Sequence, residues 1–575
     1  MPSGKFYAVA GVVACLACAG CRPGELSLKP KPPPPPPPEL ADTVGEYASL
    51  VGGGGLLLDG HGVVAGLGAN GSSEVPPRLK KYLVQYMLKQ RIGSATAGTS
   101  GITPSEILAD RDTAVARVIA AIPPGAPAGW TFDVQVMALS QSGTRSLDGG
   151  SLLRAEMHLA KGEGMPHDVG SRAWATAEGS IFVNPFLDPN NSTEVVRLRE
   201  GRLIGGGRVL YPRPLRLVLR EPDYVRCNVI QRRINQRFGR PRNIANARNP
   251  STIELSIPPA YVNNYERFLQ LVMHLPLQAG SGKWEARARD VAEAMQKAGA
   301  NHDGLSLVWE AMGREVLGIC RTLYGSRNRA ASFYSARAGF RLRDDLAGEV
   351  MTRFATTAGS PFQVAAIEEL GRQRWYFRSM PTLRGLIDAD SELVRIAAYE
   401  ALLELGDEKL ITRIDVGGEF SLDLVTSRKS YVIYATQSRE KRITLFGRHM
   451  NVCCPVFFNM PGDLVTLANK KDEKTGRDQL MVFRKIPRAS RISAPFYLDF
   501  NVSSLVRTLG EVPQHDDDGR IKGLGLTYGQ VVAVLYRMCE VDKDIPARFV
   551  LQPPPGARRI YRGAATVGRP DMPGE

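Results

Sequence analysis

Histidine and cysteine are scarce in this chain, seven and eight residues of 575. That scarcity leaves little for metal or nucleophile chemistry to use. No two histidines stand at ligand spacing, His158 and His167 being nearest. Five cysteines follow Cys15, Cys18 and Cys21: Cys227, Cys320, Cys453, Cys454 and Cys539. These five contain no C-x-x-C pair and no Cys/His cluster suited to zinc. An odd number leaves at least one thiol unpaired within an exported chain, and a disulfide scaffold needs more cysteines in fewer residues. Buried free thiols are expected; if Cys453 and Cys454 lie on a strand they point opposite ways, one of them toward the core. Neither a G-x-S-x-G elbow nor an H-E-x-x-H helix occurs. Asp516, Asp517 and Asp518 lack the alternating ligands and downstream Glu of an EF-hand loop and read as a solvated loop. No catalytic residue, metal or cofactor is assigned, and the chain reads as no enzyme.

Long apolar runs are missing too. Phe6 to Gly20 is apolar but too short to span a bilayer, and no later stretch reaches 18 residues. With Lys5 before it and small residues after, it has the layout of a secretory signal. Ala19 and Gly20 directly precede Cys21, which suggests a lipoprotein-type signal over residues 1–20 with Cys21 acylated. Cys18 stands where such signals commonly carry Leu, and an ordinary signal cut elsewhere is the alternative. Pro32 to Pro38 then predicts a polyproline II spacer of roughly 22 Å within a tether over 21–42.

Acid is the last shortage. Lys and Arg number 73 against 58 Asp and Glu, a formal charge of +15. Export argues against nucleic acid as the partner and favours anionic wall polymer, lipid head groups or acidic protein. Arginine is densest from Arg197 to Arg248, opposed there only by Glu200, Glu221 and Asp223. Arg208, Arg213, Arg216, Arg220, Arg232, Arg233, Arg237, Arg240 and Arg242 are the candidate docking residues, with a merely solvated basic face as the other reading.

What is present is pattern. Tyr82 to Leu88 predicts a helix; Ala114 to Ile122 and Phe132 to Leu139 alternate as strands, separated by Pro123-Pro124-Gly125. Ile181 to Phe186 and Leu215 to Leu219 are further strand candidates. Val225, Val229, Ile230, Ile234 and Phe238 stripe one helix face. Ile253, Leu255 and Ile257 then alternate as a strand, and Tyr265 to Met273 form a second helix, giving a small α/β subdomain over 215–277. From 285 to 410 the chain turns helical. There Val364 to Gly371 and Ile396 to Asp407 align at a 32-residue offset, like short HEAT-type repeats, with a plain helical bundle as the alternative. From Ile411 to Leu551 short apolar runs suit a sheet sandwich or barrel, with a helix over Tyr528 to Cys539; residues 552–575 read as a loose tail.

One motif points toward cofactor binding. Gly66-Leu67-Gly68-Ala69-Asn70-Gly71 spells G-x-G-x-x-G, but Ser72 to Pro77 intervenes where a helix must begin, and no acid stands about 20 residues on for a ribose. Glycine turns around a strand explain it better. The G-S-G-K at Gly280 to Lys283 lacks P-loop spacing.

Three stretches carry a family resemblance, in order. LVGGGGLLLDGHGVVAGLGANGSS (Leu50 to Ser73) is a glycine-rich strand opening. RDTAVARVIAAIPPGAPAGWTFDVQVMALSQSGTRSLDGGSLLRAEM (Arg111 to Met157) carries a strand pair and an S-L-x-G-G-S-L-L turn. LRLVLREPDYVRCNVIQRRINQRFG (Leu215 to Gly239) with TIELSIPP (Thr252 to Pro259) gives a later strand and helix. Together they resemble the flagellar basal-body P-ring protein family over about residues 42–277. The resemblance implies a β-rich P-ring-like domain (43–277), which with the helical region and the β-rich C-terminal region gives an α+β multidomain chain. It further implies a structural role in the periplasm, with self-association into a ring around the rod and contacts to other basal-body proteins. Peptidoglycan, and a membrane reached through lipid on Cys21, are the remaining partners expected. An envelope lipoprotein that uses the fold as a binding scaffold is the alternative.

Overall fold

The computed structural model describes residues 37, 39–92, 102–160, 171–187, 194, 196–239, 242–278, 281–460, 464–471, 476–486, 491–515 and 521–553. The apolar N-terminal run, Cys21, most of the proline run, Arg240, Gly280 and Asp516 to Asp518 lie outside the described residues.

The N-terminal part begins with a short edge strand, β1 (Ala48–Val51), and then forms a closed barrel. Its strands are β2 (Leu56–Ala65), β3 (Ala114–Ile122), β4 (Thr131–Ala138), β5 (Ser151–Leu159), β6 (Ala175–Ser180) and β7 (Glu200–Val209), closing in the order β2-β3-β4-β7-β6-β5 with every pairing antiparallel. Six strands enclose a narrow interior. Accordingly the core is rich in alanine, with Ala114, Ala116, Ala120, Ala155, Ala175 and Ala177 beside Leu58, Val118, Val134, Met157 and Leu203. Gly60 is required where β2 crosses β5, because a Cβ there would lie 2.3 Å from the Glu156 carbonyl oxygen. The helices Pro77–Lys89 and Pro104–Ala109 pack on the outside through Leu79, Tyr82, Leu83 and Leu108. Beneath them burial, and then the Glu156 carboxylate, push the Tyr82 phenol up to about 12.

Next comes a four-stranded antiparallel sheet, in the order β1, β8 (Leu215–Leu219), β10 (Thr252–Leu255), β9 (Ala245–Asn249). Leu215, Leu217 and Leu219 alternate inward, against Cys227, Ile230 and Ile234 of the helix Tyr224–Phe238 and Phe268 and Leu271 of Tyr265–Met273. The alternation expected through Ile257 ends at Leu255, ahead of Pro258. Strand β9 carries no strong apolar signal in its sequence, Ala-Asn-Ala-Arg-Asn. Its outer edge is capped by side chains: Asn235 accepts from the Ile244 and Ala245 amides at 2.9 Å, and Gln231 accepts from Ala247 at 2.5 Å. An edge satisfied in this way cannot recruit another strand there.

The expected strand over Ile181 to Phe186 does not form. Only Phe182 makes an isolated bridge, to Arg202. Ile181 and Val183 are buried in the barrel core and Phe182 in the C-terminal core, so neither side is wet, and Pro185 donates no ladder hydrogen bond.

Residues 281–405 are helical, from Ser281–Gln296 to Glu392–Leu405. The two segments aligned at a 32-residue offset lie in the helices Gln363–Arg372 and Glu392–Leu405, which pack directly on each other. Gly371 sits against Ala401 so closely that a Cβ would come within 2.6 Å of the Ala401 backbone. The C-terminal lobe is β-rich, with a five-stranded and a four-stranded sheet sharing one core and no closed barrel among its described residues. Its five-stranded sheet runs Ile411–Val416, Phe420–Val425, Arg442–Phe446, Tyr431–Ala435, Ala547–Leu551, and the second and third of these pair in parallel, as do the last two. Parallel pairs need both faces covered. One face packs on the helical lobe through Val425, Val432, Tyr434 and Phe446; the other meets the helices Val502–Gly510 and Tyr528–Tyr536 and a four-stranded sheet. Among the described residues no helix is long and apolar enough to cross a membrane.

Candidate assembly surface

The eight candidate arginines among the described residues do not share one environment. Arg213 is turned inward, donating to the Gly54 and Ile122 carbonyls, and burial holds its guanidinium below its ordinary range. Arg233 donates to the Pro276 carbonyl and lies over the Trp284 ring at 4.8 Å. Arg237 caps the end of the helix His302–Met312, donating to the Glu310 and Ala311 carbonyls at 3.0 Å. These three tie the molecule together. Arg220 is exposed and donates to the Gly45 carbonyl at 3.3 Å. Arg208 on the barrel, Arg216 on β8, Arg232 on the following helix and Arg242 before β9 remain exposed. They belong to two modules, the barrel and the four-stranded sheet.

The glycine motif is engaged internally. The Gly66 and Gly68 amides donate to the Asp112 carboxylate at 3.2 and 2.7 Å, so an acid occupies the position a phosphate would need. After a single 3-10 turn at Gly68–Asn70 the next α-helix starts only at Pro77, while Lys283 of the G-S-G-K lies within Ser281–Gln296. Cys227, Cys320 and Cys539 are buried free thiols. Cys453 and Cys454 are both exposed, contrary to the expectation of a core-facing member, because they precede Pro455 outside any strand. Among the described residues no group of three or more His, Cys, Asp or Glu is placed to hold a metal ion.

Sequence reasoning missed the junctions that fasten the N-terminal part to the rest. Arg267, on the helix Tyr265–Met273, pairs with Glu310. Glu310 also accepts from Arg341 at 3.2 Å; Arg341 then pairs with Glu369, which Arg372 reaches at 3.0 Å. Burial by itself would raise the Glu310 and Glu369 carboxyls. The guanidinium groups of Arg267 and Arg341 around the first, and of Arg341 and Arg372 around the second, reverse this and hold both below the usual carboxylate range. Burial, and then repulsion from Arg341, bring Arg267 down to about 10. One signal existed: Arg267 stands four residues before Leu271 and so shares the buried face of its helix.

The second junction joins barrel to C-terminal lobe. Phe182 and Ile204 belong to the C-terminal core, and the Phe182 ring lies 5.8 Å from that of Tyr528. Phe186 meets Tyr536 at 4.4 Å, edge to face. Around them Asp133 accepts from the Gly205 amide at 2.8 Å and the Arg439 amide at 3.2 Å, while Lys441 donates to Ser180 at 2.6 Å and Glu419 at 2.9 Å.

Comparison with known proteins bears on the same region. The family model described as flagellar P-ring protein matches residues 44–287. That match ends inside the helix Ser281–Gln296, beyond Leu277, where the resemblance was expected to stop. Flagellar P-ring proteins from two strains of Anaeromyxobacter dehalogenans are 30% identical over 252 residues, covering 42% of this chain and 59% of the relative, and 29% identical over 280 residues, covering 47% and 66%. The flagellar P-ring protein of Thermotoga maritima is 29% identical over 231 residues, covering 38% of this chain and 62% of its own length. The chain thus spans less than two thirds of the length of these curated relatives. Residues 44–287, the barrel and the sheet module with its helices, are therefore similar to the flagellar P-ring protein family, and a helical and a β-rich lobe are joined to them.

Proposed function

We propose that this protein is a structural component of the flagellar basal body, assembling through its P-ring-type region into a ring around the rod and so supporting motility. The single observation that carries this reading is the family match over 44–287, which coincides with a complete barrel and its adjoining sheet module. A ring needs head-to-tail contacts between two different faces of each subunit. In this reading Arg208, Arg216, Arg232 and Arg242 supply part of one face, whereas Arg213, Arg233 and Arg237 hold the subunit together. The helical lobe, read as a pair of HEAT-like helices, and the β-rich lobe decorate the ring. Cys21 carries lipid that anchors the subunit to a membrane of the envelope, with peptidoglycan as a neighbour.

Electron microscopy of the purified chain tests the assembly step. Closed rings are expected, and a variant with Arg208, Arg216, Arg232 and Arg242 all changed to Glu is expected to remain folded and monomeric. Intact rings from that variant would remove these arginines from the contact. A second reading, an envelope lipoprotein that uses the fold as a binding scaffold for wall polymer or another envelope protein, draws on the partial coverage of the relatives. A chain that stays monomeric at all concentrations and retains a wall-polymer ligand favours it.

A further inference from the structure

The helical lobe holds a surface pocket of about 280 Å³ between the start of the helix Arg329–Arg341 and the end of Asp345–Thr356. Arg329 and Arg353 stand on its walls, with hydroxyls from Ser326, Ser332 and Thr357 and the ring of Tyr324; among the described residues no carboxylate lines it. Elsewhere in this lobe Arg321, Arg337, Arg341, Arg372 and Arg384 are each paired with a carboxylate. Arg329 and Arg353 are not: among the described residues neither guanidinium has an ion pair or a hydrogen bond. Both therefore bring full positive charge and unused donors to one opening.

The remaining groups set what can enter. The Ser332 hydroxyl donates to the Tyr324 carbonyl at 2.6 Å, and Thr357 donates to the Arg353 carbonyl at 2.7 Å, so these two offer only acceptor lone pairs. Ser326 accepts from the Asn328 amide at 3.2 Å and keeps its own hydrogen to give. The Tyr324 hydroxyl donates to Asp344 at 2.8 Å, which fixes that ring as a wall. Asn328 already caps the Ala330 and Ala331 amides, so the helix adds its positive end as a field rather than as free donors. Two guanidinium forks and one hydroxyl donor around a small opening suit an oxyanion in bidentate contact.

We propose that this pocket binds a compact anion through a phosphate or carboxylate group, with Arg329 and Arg353 as its paired anchors. The test is isothermal titration calorimetry on the full chain with inorganic phosphate and, separately, succinate, in about 0.15 M salt so that diffuse surface attraction is screened. Saturable one-site binding is expected for at least one of them. Arg329→Gln and Arg353→Gln should each weaken it by roughly tenfold or more, the loss of one charge-assisted contact. Arg378→Gln, an exposed arginine outside the pocket, should leave it unchanged, and matched melting curves show that every variant is folded. Tighter phosphate than succinate assigns the site to a phosphate ester, and the reverse order assigns it to a carboxylate. Flat titrations with both anions, or undiminished binding in Arg329→Gln and Arg353→Gln, overturn the proposal.

Discussion

The barrel and the helical lobe bury their interiors by opposite means. The barrel closes on alanines and glycines, and its tolerance is set by backbone approach, as at Gly60 under Glu156. The helical lobe instead buries charge: Arg267, Glu310, Arg341 and Glu369 form a chain across four helices, three of them outside the P-ring-type match. The difference teaches where each part is vulnerable. Added bulk injures the barrel, and an unbalanced charge injures the lobe and its seam with the family region.

The sharpest way to break the comparison is at the lobe's central cation. Arg341→Ala leaves Glu310 and Glu369 each short of a partner in a buried site and is expected to cost about 3–5 kcal/mol, read by urea unfolding. A loss below about 1 kcal/mol would mean water already screens the chain of charges. Phe182→Ala should cost about 3 kcal/mol and loosen the barrel from the C-terminal lobe, visible as faster proteolysis between them. Gly60→Ala adds a single methyl group where β2 crosses β5 and should cost about 1–3 kcal/mol, with the barrel amides losing hydrogen-exchange protection while those of the helical lobe keep it. Acid gives the mildest effect. Glu310 and Glu369 have depressed pKa values in the fold, so their contribution is fully present above the unfolded carboxyl value, about 4.3, and is lost as pH falls through the lower folded values. Unfolding free energy should therefore drop on acidification below about pH 4, by at most about 1.4 kcal/mol per pH unit for each group, read as a falling melting temperature. A Glu369→Gln chain should start less stable and show a flatter acid slope.

These two kinds of interior also explain what the sequence disclosed. Where one face was buried and the other wet, the period was visible: Ala114–Ile122, Leu215–Leu219 and Tyr224–Phe238 lie where alternation or a helical stripe places them. Where the burial was irregular it was not. Ile181 to Val183 are apolar because Phe182 enters the neighbouring lobe's core while Ile181 and Val183 fill the barrel's, and no regular strand forms there. The strand Ala547–Leu551 pairs in parallel with Tyr431–Ala435, more than a hundred residues earlier, and no local pattern announces such a partner. For the candidate surface, charge density marked the right stretch of chain but could not sort its members. Arg213 and Arg237 read like Arg208 and Arg232 in sequence, and only the carbonyls they meet show which are structural. Nor does composition disclose that Arg329 and Arg353 are left without carboxylates in a lobe that pairs so many of its arginines.

The central claim, a P-ring-type structural role in the basal body, is tested most directly by electron microscopy of basal bodies purified from the native cells and labelled with antibody against the C-terminal lobe. Label on a ring around the rod is the predicted result. Basal bodies free of label, with the protein elsewhere in the envelope, would contradict the claim.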